Sequence, residues 1–202
     1  MQNYKKNLEL LSKNHVYSKE MEHDACGVGL IASTEGKKSR LVVEYGIEAL
    51  KAVWHRGAVD ADGKTGDGAG IHLEIPKDFF IEKIEVTGHD YDNSEICVGM
   101  IFLPKNDYSS QESCKTIVES ELTKNDFSIY GWRQVPVNPK VLGEKALQTM
   151  PEIIQVLFKS NDPNLLDKEL ERKIYETRKT IENKAFNLSL NNFYICSISS
   201  KS

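Results

Sequence analysis

Short apolar runs bounded by glycine, proline or aspartate alternate along this chain with segments whose apolar residues recur every three or four positions. No other feature restricts the fold as much, because strand side chains alternate between faces while helix neighbours return at i+3 and i+4. Gly27–Ala32 is short, apolar and flanked by turn formers, and it reads as a buried strand. Val43, Ile47, Leu50 and Trp54 follow at spacings of four, three and four, one face of a helix between Ser39 and Trp54. Ile71, Leu73 and Ile75 alternate with His72 and Glu74 until Pro76 stops that strand. Ile96–Leu103 is a second core strand, ended by Pro104. Ser109-x-x-Glu112 has the spacing of a capping box and opens a helix through Thr123. Phe127–Val135, Ile153–Phe158 and Phe193–Ser199 read as strands. Before the last of them, Asp162-Pro163 sets a capping acceptor ahead of a proline at the first helical position. The helix it opens carries Leu166, Leu170, Ile174 and Ile181 as a buried stripe through Ala185. Such alternation predicts a layered domain mixing helices and strands, with its topology open.

Composition narrows the function classes. With 202 residues, 40% of them hydrophobic and 28% charged, the chain can bury a core without disulfide or metal staples, and it is not a disordered segment. A net charge of -4 provides no broad basic field for nucleic acid. The apolar run at Ile96–Leu103 is too short to span a bilayer, and residues 1–25 lack the apolar centre of a secretory signal. The 4 cysteines contain no CxxC and form neither a disulfide framework nor a zinc site. Cys97, Cys114 and Cys196 read as buried free thiols, which points to a reducing, cytoplasmic compartment. No pair of histidines falls at i, i+4 on a helix, so no metal is assigned to them.

The glycine-dense stretch Asp60–Gly70 invites three motif matches, and each fails. A P-loop would need glycine where Val59 stands, a dinucleotide fingerprint would need glycine at Ile71, and a calcium loop starting at Asp60 has Asp62 at its third position but meets Lys64 and Thr65 at its fifth and sixth. What survives is that glycine permits tight turning and close approach to the backbone. Just upstream, Arg56 fits an ordinary cation at a helix C-terminus, and Gly57 fits a C-terminal cap. Cys26 differs from the other thiols in opening an element rather than lying inside one.

Taken together, Glu22-His-Asp-Ala-Cys-Gly-Val-Gly29 and the run from Ala49 through His55-Arg-Gly57 to Asp67-Gly-Ala-Gly-Ile71 resemble the amidotransferase domain that begins the glutamate synthase large-subunit family. Gly131-Trp-Arg-Gln-Val-Pro-Val-Asn138 and Phe193-Tyr-Ile-Cys-Ser-Ile-Ser199 are similar to later segments of the same domain. A helix followed by HRG and then DGAGI is shared more loosely by class II glutamine amidotransferases in general.

The resemblance implies an α+β, four-layer αββα N-terminal-nucleophile fold, incomplete at its C-terminus. It implies a leader, residues 1–25, removed so that Cys26 becomes the N-terminus, with residues 26–202 the front portion of the amidotransferase domain. Cys26 is then the nucleophile that takes glutamine through a γ-glutamyl thioester. Arg56 is expected beside it as a substrate-binding residue, with Gly27, Gly29, Asp67 and Gly68 shaping the site. The implied partners are glutamine, the remainder of the large subunit with its synthase domain, and a small electron-donating subunit, with neither nucleic acid nor membrane. FMN and an iron–sulfur cluster are implied for the full-length enzyme and not for this segment. The family's Asn-Gly oxyanion pair and its His-Ser-Arg-Phe motif occur nowhere in the sequence, so the chain alone is expected to have negligible glutaminase activity and to be a fragment. A different N-terminal-nucleophile amidase, or a catalytically silent binding or regulatory module, are the other readings.

Overall fold

The computed structural model describes residues 27–54, 57–165 and 167–202, together with positions 6, 10 and 13. The chain divides into two compact units, Met1–Ala58 and Val59–Ser202.

In the first unit the helix α1 spans Arg40–Ala52. Ser39 caps it, its hydroxyl accepting from the Leu41 N–H at 3.2 Å, and Arg40–Glu44 and Lys51–Glu48 ion pairs lie along its outer side. Val43, Ile47 and Leu50 are half-buried as their spacing predicts, whereas Trp54 is 73% exposed beyond the helix end. Gly57 does not cap α1, which stops at Val53; its N–H closes the next turn by donating to the Trp54 carbonyl at 3.0 Å. Gly27–Ala32 is not a strand. Its backbone is irregular, and Val28 is 90% exposed. An apolar run becomes a strand only when a neighbour satisfies its backbone donors and acceptors, and none does so here among the described residues.

The second unit is built on one antiparallel sheet. In chain order its elements are α2 (Lys77–Val86), β1 (Cys97–Leu103), α3 (Tyr108–Lys124), β2 (Phe127–Gln134), a short 3-10 turn at Pro139–Val141, α4 (Glu144–Thr149), β3 (Glu152–Ser160), α5 (Asp167–Asn187) and β4 (Tyr194–Ser199). The strands lie in the order β2-β3-β1-β4. Register is set by pairs such as Cys97↔Phe158 and Leu103↔Glu152 between β1 and β3, and Phe127↔Ser160 between β2 and β3. The β1–β4 ladder slips by one residue at Cys196, between Ile101↔Ile195 and Met100↔Ser197.

The two faces of the sheet carry different cores. On one, Cys97, Ile101, Ile154, Val156, Phe158 and Ile195 pack with Cys114, Val118 and Leu122 of α3 and Leu170, Ile174 and Ile181 of α5. On the other, Val98, Tyr130 and Leu157 meet Phe80 and Ile84 of α2, together with Ile75 and Ile96. Helices on both faces of an antiparallel sheet make this an α+β architecture, the class the sequence points to.

Three carboxylates tie the second unit together. Glu121 of α3 is buried and meets the ammonium groups of Lys184 and Lys124, which hold its carboxyl below the usual range. Asp92, in the α2–β1 connection, accepts from the Tyr130 hydroxyl at 2.9 Å and the Ser94 N–H at 3.2 Å. Lys159 also pairs with it, and chiefly through that contact its carboxyl is held low. Glu171 of α5 takes the Ser200 N–H and the hydroxyls of Ser199 and Ser200, fastening the chain just past β4.

Several local expectations are corrected. Ile71–Ile75 is irregular, with Ile71 44% exposed; only Ile75 is buried, and it is held by an N–H donated to the Lys201 carbonyl at 2.9 Å. The cap of α3 is Asp107, whose carboxylate accepts the Ser110 N–H and hydroxyl at 3.0 and 2.6 Å, so Ser109 falls inside the helix. A carboxylate outcompetes a hydroxyl there because it also meets the positive end of the helix dipole. Asp162 caps a separate turn through the Asn164 N–H, and α5 starts beyond it at Asp167. Its stripe of Leu170, Ile174, Ile181 and Ala185 is buried, and Leu166 lies outside the described residues. Cys97 and Cys114 are buried, but Cys196 is exposed because it is the extra residue of the β4 bulge.

Candidate functional site

Of the residues expected at the site, Cys26 and Arg56 lie outside the described residues. Gly27 and Gly29 belong to the first unit, in exposed irregular backbone, and a Cβ added at Gly29 meets nothing within 4 Å. Asp67 and Gly68 belong to the second unit, are exposed, and follow directly on an isolated antiparallel bridge between Val59 and Gly66. A Cβ at Gly68 or Gly70 likewise meets nothing within 4 Å. The packing of the chain therefore does not demand glycine at 29, 68 or 70, and the main chain there stays open to close approach.

The glycine-rich stretch does form a defined object. Residues 59–66 make a closed hairpin in which the Asp60 N–H donates to the Thr65 carbonyl at 2.7 Å and the Gly63 N–H to the Asp60 carbonyl at 2.9 Å. Gly63 takes φ +68°, the left-handed conformation that favours glycine. Inside the turn, Asp62 Oδ1 accepts the Lys64 and Thr65 N–H groups at 2.9 and 2.7 Å, and Oδ2 accepts the Thr65 hydroxyl at 2.5 Å. These donors hold the Asp62 carboxyl well below the usual carboxylate range, the Thr65 hydroxyl contributing most.

Asp62 also reaches across the sequence. The Glu144 N–H, 82 positions later, donates to its Oδ2 at 3.0 Å, and Lys145 pairs with Asp60. Helix α4 has no side-chain cap from its own Gly143, so the hairpin supplies one. A Cβ at Gly143 would run into the Thr65 hydroxyl and the Asp62 carboxylate and would stand 2.5 Å from the Thr65 nitrogen. Glycine is required there by space.

Both carboxylates weighed for a calcium loop are thus engaged within the protein. Among the described residues no three His, Cys, Asp or Glu side chains converge as metal ligands. An iron–sulfur cluster needs converging thiolates. Cys97 and Cys114 lie in the core and Cys196 on an exposed edge, so the described cysteines do not fit one.

Sequence reasoning overlooked Asp62, Thr65 and Gly143 as structural determinants. The Asp-Gly-Lys-Thr order carried a local signal, since aspartate readily accepts from backbone N–H groups two and three residues on. No local signal marks the contact with Gly143.

Residues 26–202 match the family described as Glutamine amidotransferases class-II. The chain is 49% identical over 199 residues to the large chain of the NADPH glutamate synthase of Azospirillum brasilense, covering 98% of this chain and 13% of that protein. It is 39% identical over 182 residues to ferredoxin-dependent glutamate synthase 1, chloroplastic/mitochondrial, of Arabidopsis thaliana, covering 89% of this chain and 11% of that protein. Against the ferredoxin-dependent glutamate synthase of Pyropia yezoensis the identity is 38% over 195 residues, 94% of this chain and 12% of that protein. The chain spans only a small part of the length of each of these relatives.

Proposed function

The chain belongs to the class-II glutamine amidotransferases, and from that premise we propose that it is the front portion of a glutaminase domain supplying ammonia to a glutamate synthase. The observation that carries this reading is that the family match begins at Cys26 itself and runs through residue 202. In this reading residues 1–25 are a leader whose removal makes Cys26 an N-terminal residue, and residues 26–202 contribute to the four-layer αββα arrangement.

The chemistry explains why the nucleophile must be a terminus. A thiolate is the attacking species, and an ordinary thiol, with a pKa of about 8.5, needs a base near neutrality. A free α-amine, with a pKa of about 7.7–8.0, is such a base, whereas the amide to Ala25 cannot take a proton. The freed amine accepts the Cys26 thiol proton as Sγ attacks the side-chain carbonyl carbon of glutamine. The C–N bond breaks, the proton passes to the leaving nitrogen, and ammonia departs from a γ-glutamyl thioester. Water then cleaves the thioester to glutamate and regenerates the thiol. Arg56 orients substrate by charge and does not act as an acid or base, because guanidinium does not deprotonate in proteins. Gly27, Gly29, Asp67 and Gly68 shape the site by leaving main chain accessible.

Amination of 2-oxoglutarate, with FMN and an iron–sulfur cluster, belongs in this proposal to the remainder of the polypeptide, which works with a small electron-donating subunit in the cytoplasm. No described helix is long and apolar enough to cross a membrane. Since the sequence holds no Asn-Gly pair to bind the oxyanion, the isolated chain is inactive; loss of one such donor costs about 10²–10³ in rate. Intact mass and glutamine-dependent ammonia release from the complete polypeptide test the reading. A mature product starting at Cys26, with activity abolished in Cys26→Ala, is expected. Activity that survives that substitution refutes it.

A further inference from the structure

We propose that Asp62 is a positioning residue for glutamine hydrolysis, acting as a clasp that fixes the 59–66 hairpin onto helix α4. This inference rests on the glutaminase reading and deepens it. The Val59↔Gly66 bridge is the neck of the hairpin, and Asp67 and Gly68, which the glutaminase reading places at the site, come immediately after it. The anchored hairpin therefore sets where that stretch departs.

One side chain closes the loop beyond that neck. Asp62 collects the Lys64 and Thr65 N–H groups and the Thr65 hydroxyl, and with the same carboxylate takes the Glu144 N–H from α4. Lys145 adds a second tie through Asp60, and the absence of a side chain at Gly143 lets the two backbones meet. The hairpin is exposed and contributes no side chain to either buried core, so its precise anchoring is not explained by burial. Anchoring matters to a site whose groups must stand within a fraction of an ångström of their working positions.

Two substitutions dissect the clasp. Asp62→Asn is nearly isosteric; its carbonyl oxygen still accepts from Lys64 and Thr65, and its amide can donate to the Thr65 hydroxyl, but that amide faces the Glu144 N–H donor to donor. It keeps the turn and breaks the tie to α4. Gly143→Ala drives a methyl into the Thr65 nitrogen and breaks the same tie from the other side. Measured in the complete polypeptide, each is expected to lower kcat/KM for glutamine by roughly 10- to 100-fold, chiefly through KM. Synthesis driven by added ammonium should be unchanged. A residue with only a structural part would lower thermal stability and leave the KM of the folded enzyme alone.

Kinetic constants for glutamine within threefold of the parent in both variants overturn the inference while leaving the glutaminase reading intact. A parent without glutaminase activity, or one whose activity survives Cys26→Ala, removes the reading itself and the inference with it. Asp62→Asn retains the turn, and so keeps the test decisive where Gly143→Ala folds poorly.

Discussion

Alkylation by iodoacetamide at pH 8 should divide the thiols by their surroundings, and the structure sets the size of the division. The reacting species is the thiolate. Desolvation in the core pushes the Cys114 thiol up to about 11, with Asp107 adding to the rise. At pH 8 its thiolate fraction is therefore about one in a thousand, against roughly a quarter for a reference thiol near 8.5, a deficit of about two hundredfold. Access gives a second, separate barrier. Cys114 is 0% exposed between α3 and the sheet, so reagent from solution reaches it by opening the core. The opened state solvates the thiol again, so an opening of about 4 kcal/mol slows that route by roughly 10³ in place of the pKa deficit, not on top of it. Cys97 is pushed higher still by burial, with the carboxylates of Glu171 and Glu95 acting in the same direction. Time-resolved alkylation with peptide mass mapping should find Cys196 modified early and Cys97 and Cys114 unmodified until denaturant is added. Label on Cys114 within tenfold of the rate at Cys196, in protein with a native circular dichroism spectrum, would refute the argument. The outcome bears on function, because silent core thiols leave Cys196 as the one competitor among the described cysteines for a reagent aimed at Cys26.

Three further outcomes are expected. Ile174→Ala, at a fully buried position of α5, should cost about 2–5 kcal/mol in denaturant unfolding, and a loss below 1 kcal/mol would mean the helix is not seated on the sheet as described. Gly99→Ala places a methyl 2.7 Å from Val156 Cγ1, an overpacking worth about 1–3 kcal/mol; in a double-mutant cycle Val156→Ala should relieve part of it, and strict additivity would count against the β1–β3 register. Asp92, held low by Lys159, contributes stability that is fully present above its unfolded pKa of about 3.9 and is lost as pH falls toward its lower folded value. Stability measured from pH 6 down to pH 2 should therefore fall less steeply below about pH 4 in Asp92→Asn than in the parent.

The four strands of the sheet were legible because each is a dense apolar run whose neighbours lie in the same chain. Gly27–Ala32 and Ile71–Ile75 carry the same pattern and form no strands, since pattern specifies a face and not a partner. Helix α2 went unread because Pro76 looked like the end of a strand and instead stands at the N-cap position, with Phe80 and Ile84 one turn apart behind it. At the candidate site, Cys26 and Arg56 stand out only through the ordered motifs around them, as a lone thiol and a lone helix-end cation are common. Asp62 drew notice for the wrong chemistry. Its geometry depends on a glycine far along the chain, which no window of sequence contains.

The strand order has a consequence for synthesis. β1 occupies the middle of the sheet, yet both of its neighbours are made after it, β3 from Glu152 and β4 from Tyr194. As the chain leaves the ribosome, β2 and β3 can pair first, across a connection that contains α4, while the backbone groups of β1 wait. Its second edge is covered only when Tyr194–Ser199 arrives, about ninety residues behind it. Non-local pairing of this kind is slow, and the delay exposes Ile101, Phe102 and Leu103 on an open strand edge. The nascent chain is thus most vulnerable to aggregation between completion of β1 and arrival of β4, an interval set by topology rather than by the stability of the finished fold.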